Sequence, residues 1–268
     1  MTMVEDNWSQ TKGPEHLRFE QLIRDEKSSI FHKYRSLTVG ESSLSHFLLY
    51  EFITTFFGII PGASGLVLRK LLYPYLLGKC GKGVIFGWSI TLRQPKRIEV
   101  GKKTVIDDTV VLSARGYGNE RITVGQGVLL GRGAHVRVKN GTIEIGNRSR
   151  IGPFSFLGTT QHIGIGEDVT TGPLCSIGLL TKDDSNADLA NTQRGTIQKG
   201  GVILGNGVAL GGSVVILDGV KIGRGSVIGA GSVVTKDIPD ESVAIGVPAR
   251  VVRKRNGDDL DLASKNVI

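Results

Sequence analysis

The chain has 268 residues, of which 40% are hydrophobic, 38 are glycine and only two are cysteine. Its net charge of +8 would suit a phosphate-bearing ligand or an anionic membrane face. The basic residues are scattered and lack an RNA-binding aromatic signature, so we expect no nucleic-acid partner. The low cysteine count, and an amino terminus without a basic start and apolar run, predict a cytoplasmic protein.

The first elements are helical. Residues 14–35 space apolar side chains at helical intervals among charges, which predicts an amphipathic helix. Two apolar runs follow within 47–77, FLLYEFITTFFGII and LVLRKLLYPYLL, and each is too short to span a bilayer. One interpretation is a helical hairpin in a membrane interface, with Arg69 and Lys70 at the headgroups. The other is a cap over the end of the following domain, or part of an oligomer interface.

A six-residue period then dominates the chain. Residues 204–239 read LGNGVA, LGGSVV, ILDGVK, IGRGSV, IGAGSV and VTKDIP, which predicts a parallel β-helix with three hexapeptides in each coil. Coils that open with an aliphatic residue followed by glycine start at Val100, Val124, Ile145, Ile165, Leu204 and Ile222. The long step from Ile165 to Leu204 predicts a polar excursion after Lys182, and an excursion of that length indicates a function.

These patterns predict three segments. Residues 1–80 form a helical, apolar extension that is a candidate for interfacial membrane contact, 81–255 form the β-helix, and 256–268 form a tail. The fold class is therefore all-β with an N-terminal helical extension. Uncovered end coils would invite strand pairing between molecules, so we expect the extension and the residues after Pro248 to cover the two ends.

The closing stretch IGAGSVVTKDIPDESVAIGVPARVVRKR, residues 228–255, resembles the hexapeptide-repeat acyltransferase superfamily, in particular the maltose, galactoside and xenobiotic O-acetyltransferases. The resemblance implies a left-handed β-helix, a homotrimer, and acetyl-CoA as acyl donor in a groove between neighbouring subunits. The positions that match the coenzyme contacts of the family are Gly212, Ala230, Thr235, Lys236, Arg250 and Arg253. The alternative is that the small residues only form corners and the basic residues only form a solvated surface.

The catalytic position departs from the family. The resemblance calls for a histidine at the end of the third hexad from Ile165, where this chain has Lys182, and a lysine ammonium cannot accept a proton. Adding 17 to each coil start gives the column Tyr117, Gly141, His162, Lys182, Lys221 and Pro239. This column predicts that His162 lies one rung from Lys182. We therefore expect His162 to act as general base and Lys182 to stabilise a tetrahedral intermediate. The alternative is a histidine bonded to its own loop and a solvated lysine.

The first functional hypothesis is a CoA-dependent O-acetyltransferase acting on a sugar hydroxyl of a polysaccharide or glycolipid precursor at the inner face of the cytoplasmic membrane. A catalytically silent scaffold and an N-acyltransferase acting on an amino sugar stay open as alternatives. We expect no metal, because a catalytic zinc needs three protein ligands and only His135 and His162 fall within the coils.

Overall fold

A computed structural model describes residues 29–40, 43–116, 118–139, 141–159, 161–179, 181–182, 196–197 and 199–255. Three α-helices come first: α1 Ile30–Val39, α2 Leu44–Phe57 and α3 Gly62–Leu72. Short 3-10 turns follow at Tyr73–Tyr75 and Pro95–Arg97. Most of the amphipathic helix predicted at 14–35 lies outside the described residues. The described helix runs beyond that range and ends at Val39.

The strands form three long parallel sheets, with an antiparallel strand closing the second, and a small antiparallel pair. Sheet A contains β1 Lys79–Cys80, β4 Ile98–Val100, β7 Arg121–Val124, β10 Thr142–Ile145, β13 His162–Ile165, β18 Val202–Leu204 and β21 Lys221–Ile222. Sheet B contains β2 Ile85–Phe86, β5 Val105–Ile106, β8 Leu129–Leu130, β11 Arg150–Ile151, β14 Thr170–Thr171, β19 Ala209–Leu210, β22 Val227–Ile228, β24 Ser242–Gly246 and β25 Ala249–Lys254. Sheet C contains β3 Thr91–Arg93, β6 Val111–Ala114, β9 His135–Val138, β12 Phe156–Thr159, β15 Ser176–Leu179, β20 Val215–Leu217 and β23 Val233–Val234. The pair is β16 Thr181–Lys182 with β17 Thr196–Ile197.

The chain passes through sheets A, B and C in turn, which is a parallel β-helix as the period predicts. The predicted coil starts are confirmed, because each pairs with the next in sheet A from Val100 through to Ile222. Aliphatic side chains at alternate positions of most strands of the three sheets fill the interior, with Phe86 and Thr171 in the equivalent places on β2 and β14. We name the corners by the sheets they join: the A–B edge, the B–C edge and the C–A edge.

The N-terminal helices cover the first coil. Phe47, Tyr50 and Ile53 on one side of α2 are buried, and the Tyr50 hydroxyl donates to the Leu92 carbonyl at 2.8 Å. The Trp88 indole N–H donates to the Ile59 carbonyl at 3.0 Å. These contacts support the interpretation of the apolar runs as a cap. No helix among the described residues is long and apolar enough to span a bilayer.

Arg69 corrects part of the membrane interpretation. Its side chain does not reach a headgroup region, because the residue is only 2% exposed. Its guanidinium donates to the carbonyls of Ile60 at 2.6 Å and Phe57 at 3.4 Å, and to the Phe86 carbonyl at 3.2 Å. The Phe57 carbonyl lies at the C-terminal end of α2, where a helix lacks internal donors, and the Ile60 carbonyl lies in the turn that leads to α3. Arg69 therefore joins α2 to the first coil.

The opposite face of the helices stays exposed and apolar. We call this set the apolar helix face: Leu48, Leu49, Phe52, Phe56, Ile59, Leu66, Val67, Leu71 and Tyr75. Nine exposed apolar side chains within one helical segment make the apolar helix face a candidate interaction surface.

The other end of the β-helix is covered as predicted. Strand β25 folds back antiparallel on β24, and the Arg255 N–H and side chain donate to the carbonyls of Glu241 and Gly225. The last rung of sheet B is therefore paired by the chain's own residues. The tail 256–268 lies outside the described residues.

Candidate active site

His162 stands on the outer face of sheet A, at the first position of β13. Its Nδ1 lies 2.7 Å from the Thr142 hydroxyl oxygen, and the two residues pair on adjacent strands. Alternation along β13 buries Ile163 and Ile165, which turns His162 outward, where it is half-buried. One ring nitrogen is thus held by a neighbouring side chain, as a catalytic histidine requires.

One glycine leaves room beside this imidazole, because a side chain at Gly164 would begin 3.0 Å from His162 Nε2. Gly201 packs against the backbone of His162 instead, where any Cβ would collide with the His162 carbonyl. The Ile203 side chain, 37% exposed, borders the same space. The second ring nitrogen therefore lies over bare backbone on the outer face of the sheet.

The predicted column that joins His162 to Lys182 is wrong. On the rung after His162, Ile163 pairs with Val202, which places Gly201 next to the histidine. Lys182 belongs instead to the antiparallel pair, opposite Thr196, in the excursion between sheets C and A. Counting forward by 17 fails because surplus residues leave each coil at the C–A edge. Counting backward from the next coil start gives the correct neighbours, Thr142, His162 and Gly201.

Asp218 fastens the two ends of this excursion. Its carboxylate, which is buried, accepts the backbone N–H groups of Lys199 at 2.6 Å and Gly201 at 2.9 Å. Its own N–H donates to the Leu179 carbonyl at 3.0 Å. The chain therefore leaves and re-enters the coil at one fixed point beside His162.

The small coenzyme candidates share one edge. Gly212 and Ala230 occupy the B–C edge on successive rungs, and the Gly231 N–H donates to the Gly212 carbonyl at 2.9 Å. The alternative, that Gly212 is present only because a corner requires glycine, does not fit its conformation. Its φ is not in the left-handed region, and an added Cβ would meet Pro173 only at an ordinary 3.5 Å.

The cationic candidates share one end of the β-helix but not one face. Lys236 and Thr235 follow β23 at the C–A edge, whereas Arg250 and Arg253 lie on β25 of sheet B. All four are exposed. Arg250 pairs with Ile245, whose side chain crowds Gly229 beside Ala230, so Arg250 belongs to the B–C edge. The structure therefore brings Gly212, Ala230 and Arg250 together and separates Lys236 from them.

The two histidines of the coils do not converge. His135 lies on β9 of sheet C and is exposed, whereas His162 lies on sheet A. Within the part of the chain that the structure describes, no group of three or more histidine, cysteine or acidic side chains could hold a metal ion.

Sequence reasoning missed Thr142 and Asp218. The threonine becomes a candidate only through its pairing with His162, which needs the correct register. Asp218 could have been noticed in the sequence. It is an acidic residue within the hexad ILDGVK, and acidic side chains are seldom buried unless they are paired.

A family profile described as bacterial transferase hexapeptide (six repeats) matches residues 201–236. No curated protein matches the chain. Among solved structures, an N-acyltransferase variant from Bacillus cereus, in complex with dTDP-4-amino-4,6-dideoxyglucose and coenzyme A, is 20% identical over 69% of this chain and 88% of that chain, with a TM-score of 0.48.

Two further structures resemble the chain at similar levels. A maltose O-acetyltransferase from Clostridium difficile is 24% identical over 79% of this chain and 89% of that chain, with a TM-score of 0.42. A hexapeptide-repeat acetyltransferase from Vibrio cholerae, in complex with acetyl coenzyme A, is 21% identical over 82% and 97%, with a TM-score of 0.38. The coil register shows that the fold is a parallel β-helix, and residues 201–236 match the hexapeptide repeat of bacterial transferases.

Proposed function

We propose that this chain is a CoA-dependent O-acyltransferase that transfers an acetyl group to a sugar hydroxyl of a polysaccharide or glycolipid precursor. The observation that carries the proposal is His162, whose Nδ1 lies 2.7 Å from the Thr142 hydroxyl oxygen and whose Nε2 faces Gly164 on the outer surface of a transferase-type β-helix. The half-buried position and the fixed ring suit a general base.

The proposed chemistry uses both ring nitrogens of His162. When Nδ1–H donates to the Thr142 hydroxyl oxygen, Nε2 carries the free lone pair. Nε2 then takes the proton of the acceptor hydroxyl as that oxygen attacks the thioester carbonyl carbon of the acyl donor. The same nitrogen returns the proton to the departing thiolate, so the histidine is regenerated. Lys182 stays a predicted site residue, and its role in stabilising negative charge is part of the proposal.

The B–C edge fits the coenzyme. Gly212 and Ala230 offer a smooth strip for a narrow pantetheine arm, and Arg250 beside them supplies a cationic donor for phosphate oxygens. Thr235, Lys236 and Arg253 lie away from this strip along one protomer. A groove between two copies can combine the B–C edge of one copy with the C–A edge of its neighbour. The proposal therefore includes a homotrimer.

Gly212→Ala is expected to weaken acetyl-CoA binding about tenfold without lowering stability. The added methyl group meets Pro173 only at contact distance, and replacing glycine restricts the unfolded chain. Isothermal titration and urea unfolding measure the two effects. The matched control is Gly207→Ala at the A–B edge, where φ is +68°. That change should cost about 1 kcal/mol of stability and leave coenzyme binding intact. Equal coenzyme affinity in the two variants would remove Gly212 from the site.

The apolar helix face supports a placement at the cytoplasmic side of an anionic membrane. Between residues 43 and 97 the chain has seven Lys and Arg but a single acidic residue, Glu51. The Glu51 carboxylate accepts the Tyr34 hydroxyl at 2.9 Å. An apolar surface within a basic region is typical of a protein that lies on anionic lipid.

Changing Phe52 and Phe56 together to serine is expected to weaken vesicle binding about tenfold or more, since both rings are more than half exposed and would enter the lipid. The measurement is flotation with vesicles of phosphatidylcholine and phosphatidylglycerol in equal parts. The control is Ile85→Ser with Leu129→Ser, two exposed side chains on the outer face of sheet B. If the Phe52 and Phe56 variant instead loses subunit association, the face is an oligomer interface and the membrane placement is wrong.

The transfer itself is tested with acetyl-CoA and a panel of sugars, amino sugars and glycolipids, by following release of the free CoA thiol. Acceptor-dependent release with neutral sugars supports O-transfer. Release only with amino sugars supports N-transfer, in which the nitrogen nucleophile depends less on a base. Coenzyme binding without any transfer would support the silent scaffold.

A further inference from the structure

Three arginines lie together on the outer face of sheet C near the N-terminal helices. Arg93 on β3 and Arg137 on β9 flank Ser113 of β6 on the rungs either side. Arg115 follows two residues after Ser113, immediately beyond β6. With rungs about 4.8 Å apart, the side chains of these arginines reach a common space over Ser113. We call this group the arginine cluster.

Among the described residues, no ion pair involves any of the three arginines of the cluster. Arg93 donates only to the Thr38 hydroxyl, at 3.4 Å. The Nε atoms of Arg93 and Arg115 are buried without any hydrogen-bond partner. Buried guanidinium donors without acceptors are costly, which makes an unexplained pair of them a sign of a missing anion.

Among the described residues, the surroundings supply at most one negative charge against three arginines. The side chains that face the arginine cluster from α1 and α2 are Thr38, Tyr34, Tyr50 and Glu51, and the Glu51 carboxylate is bonded to the Tyr34 hydroxyl. Burial, followed by repulsion from Arg93 and Arg137, lowers the pKa of Arg115. The cluster therefore concentrates positive charge against the covering helices.

We infer that the arginine cluster is a binding site for a phosphate or diphosphate group. Guanidinium groups bind phosphate oxygens through two parallel hydrogen bonds, and three of them match a group that carries more than one negative charge. A single carboxylate would leave most of the charge unmatched. Arg137 pairs with Gly158 on sheet C, and the strand that begins at His162 is the next one along the chain, on sheet A.

The first test is titration of the full-length protein with inorganic pyrophosphate by calorimetry. We expect saturable binding, and an affinity about tenfold to a hundredfold lower in Arg115→Gln and in Arg137→Gln, because each change removes charge-assisted hydrogen bonds. The matched control is Arg150→Gln on sheet B, an exposed arginine without an ion pair among the described residues. Its affinity should equal that of the unchanged protein.

A second measurement guards against misfolded variants. Without ligand, Arg115→Gln should melt at the same temperature as the unchanged protein or higher, because the substitution relieves repulsion within the cluster. With pyrophosphate, only the unchanged protein and Arg150→Gln should gain stability. Absence of any pyrophosphate binding, or equal affinity in all four proteins, would overturn the inference unless the lipid experiment shows a dependence on the same arginines.

An experiment with lipid vesicles distinguishes a lipid headgroup from a soluble phosphate ester as the ligand. Vesicles of phosphatidylcholine with phosphatidic acid, in equal parts, are compared with vesicles of phosphatidylcholine alone. A headgroup ligand predicts that phosphatidic acid increases binding and that Arg115→Gln removes the increase, whereas Arg150→Gln retains it. A soluble phosphate ester predicts pyrophosphate binding with no effect of Arg115→Gln on vesicles. If neither dependence is found, the cluster is not a phosphate site.

Discussion

Replacing His162 with asparagine is expected to reduce acetyl transfer about a hundredfold to ten-thousandfold, which is the usual contribution of a general base. Asparagine can keep a polar contact with the Thr142 hydroxyl while it removes the second ring nitrogen. The fold and the affinity for acetyl-CoA should therefore stay unchanged. Steady-state release of the CoA thiol gives the rate, and calorimetry gives the affinity.

His135→Asn is the matched control for this change, since His135 is exposed on sheet C and away from the proposed site. Its rate should equal that of the unchanged protein. Full activity in the His162 variant would refute the assignment of the base. A loss of similar size in Lys182→Ala would support the predicted role of the lysine in transfer.

Replacing Arg69 with methionine is expected to lower the free energy of unfolding by about 3 kcal/mol. The substitution leaves the carbonyls of Phe57, Ile60 and Phe86 without their donor in a buried position. Gly65 shows how tightly this region is packed, because any Cβ there would collide with the Ile60 carbonyl. Urea unfolding followed by circular dichroism measures the change.

Lys70→Met is the control for Arg69→Met, since it makes a similar substitution at the next residue, which is exposed. Its stability should lie within about 0.5 kcal/mol of the unchanged protein. Equal stabilities of the two variants would show that Arg69 does not hold the helices on the β-helix, and the cap would then depend on apolar contacts alone.

The coil starts could be predicted from sequence because the aliphatic residue that opens each coil must enter the interior. Val100 and Val124, for example, pair directly although they are 24 residues apart. The neighbours of His162 could not be predicted in the same way. Their register depends on where surplus residues leave the coil, and a forward count treats every coil as having equal length.

The burial of Arg69 could also not be predicted from the sequence. Arg69 and Lys70 look alike in an apolar run, and only the carbonyls brought together by α2 and the first coil distinguish them. The coenzyme candidates were named from resemblance, and the structure groups Gly212, Ala230 and Arg250 by folding distant parts of the chain onto one edge. The arginine cluster had no linear motif, because its members come from three successive coils.

The hydrogen bonds of Asp218 make the stacking of the coils independent of the sequence of the inserted segment. The Asp218 carboxylate holds the stems of the excursion at Lys199 and Gly201, and the Asp218 N–H holds Leu179, so the coils on either side keep their phase whatever segment is inserted between them. Residues 183–198 can accordingly be exchanged or lengthened with little effect on the stacking of the prism. The length of this segment can then vary while the stacking of the coils is unchanged.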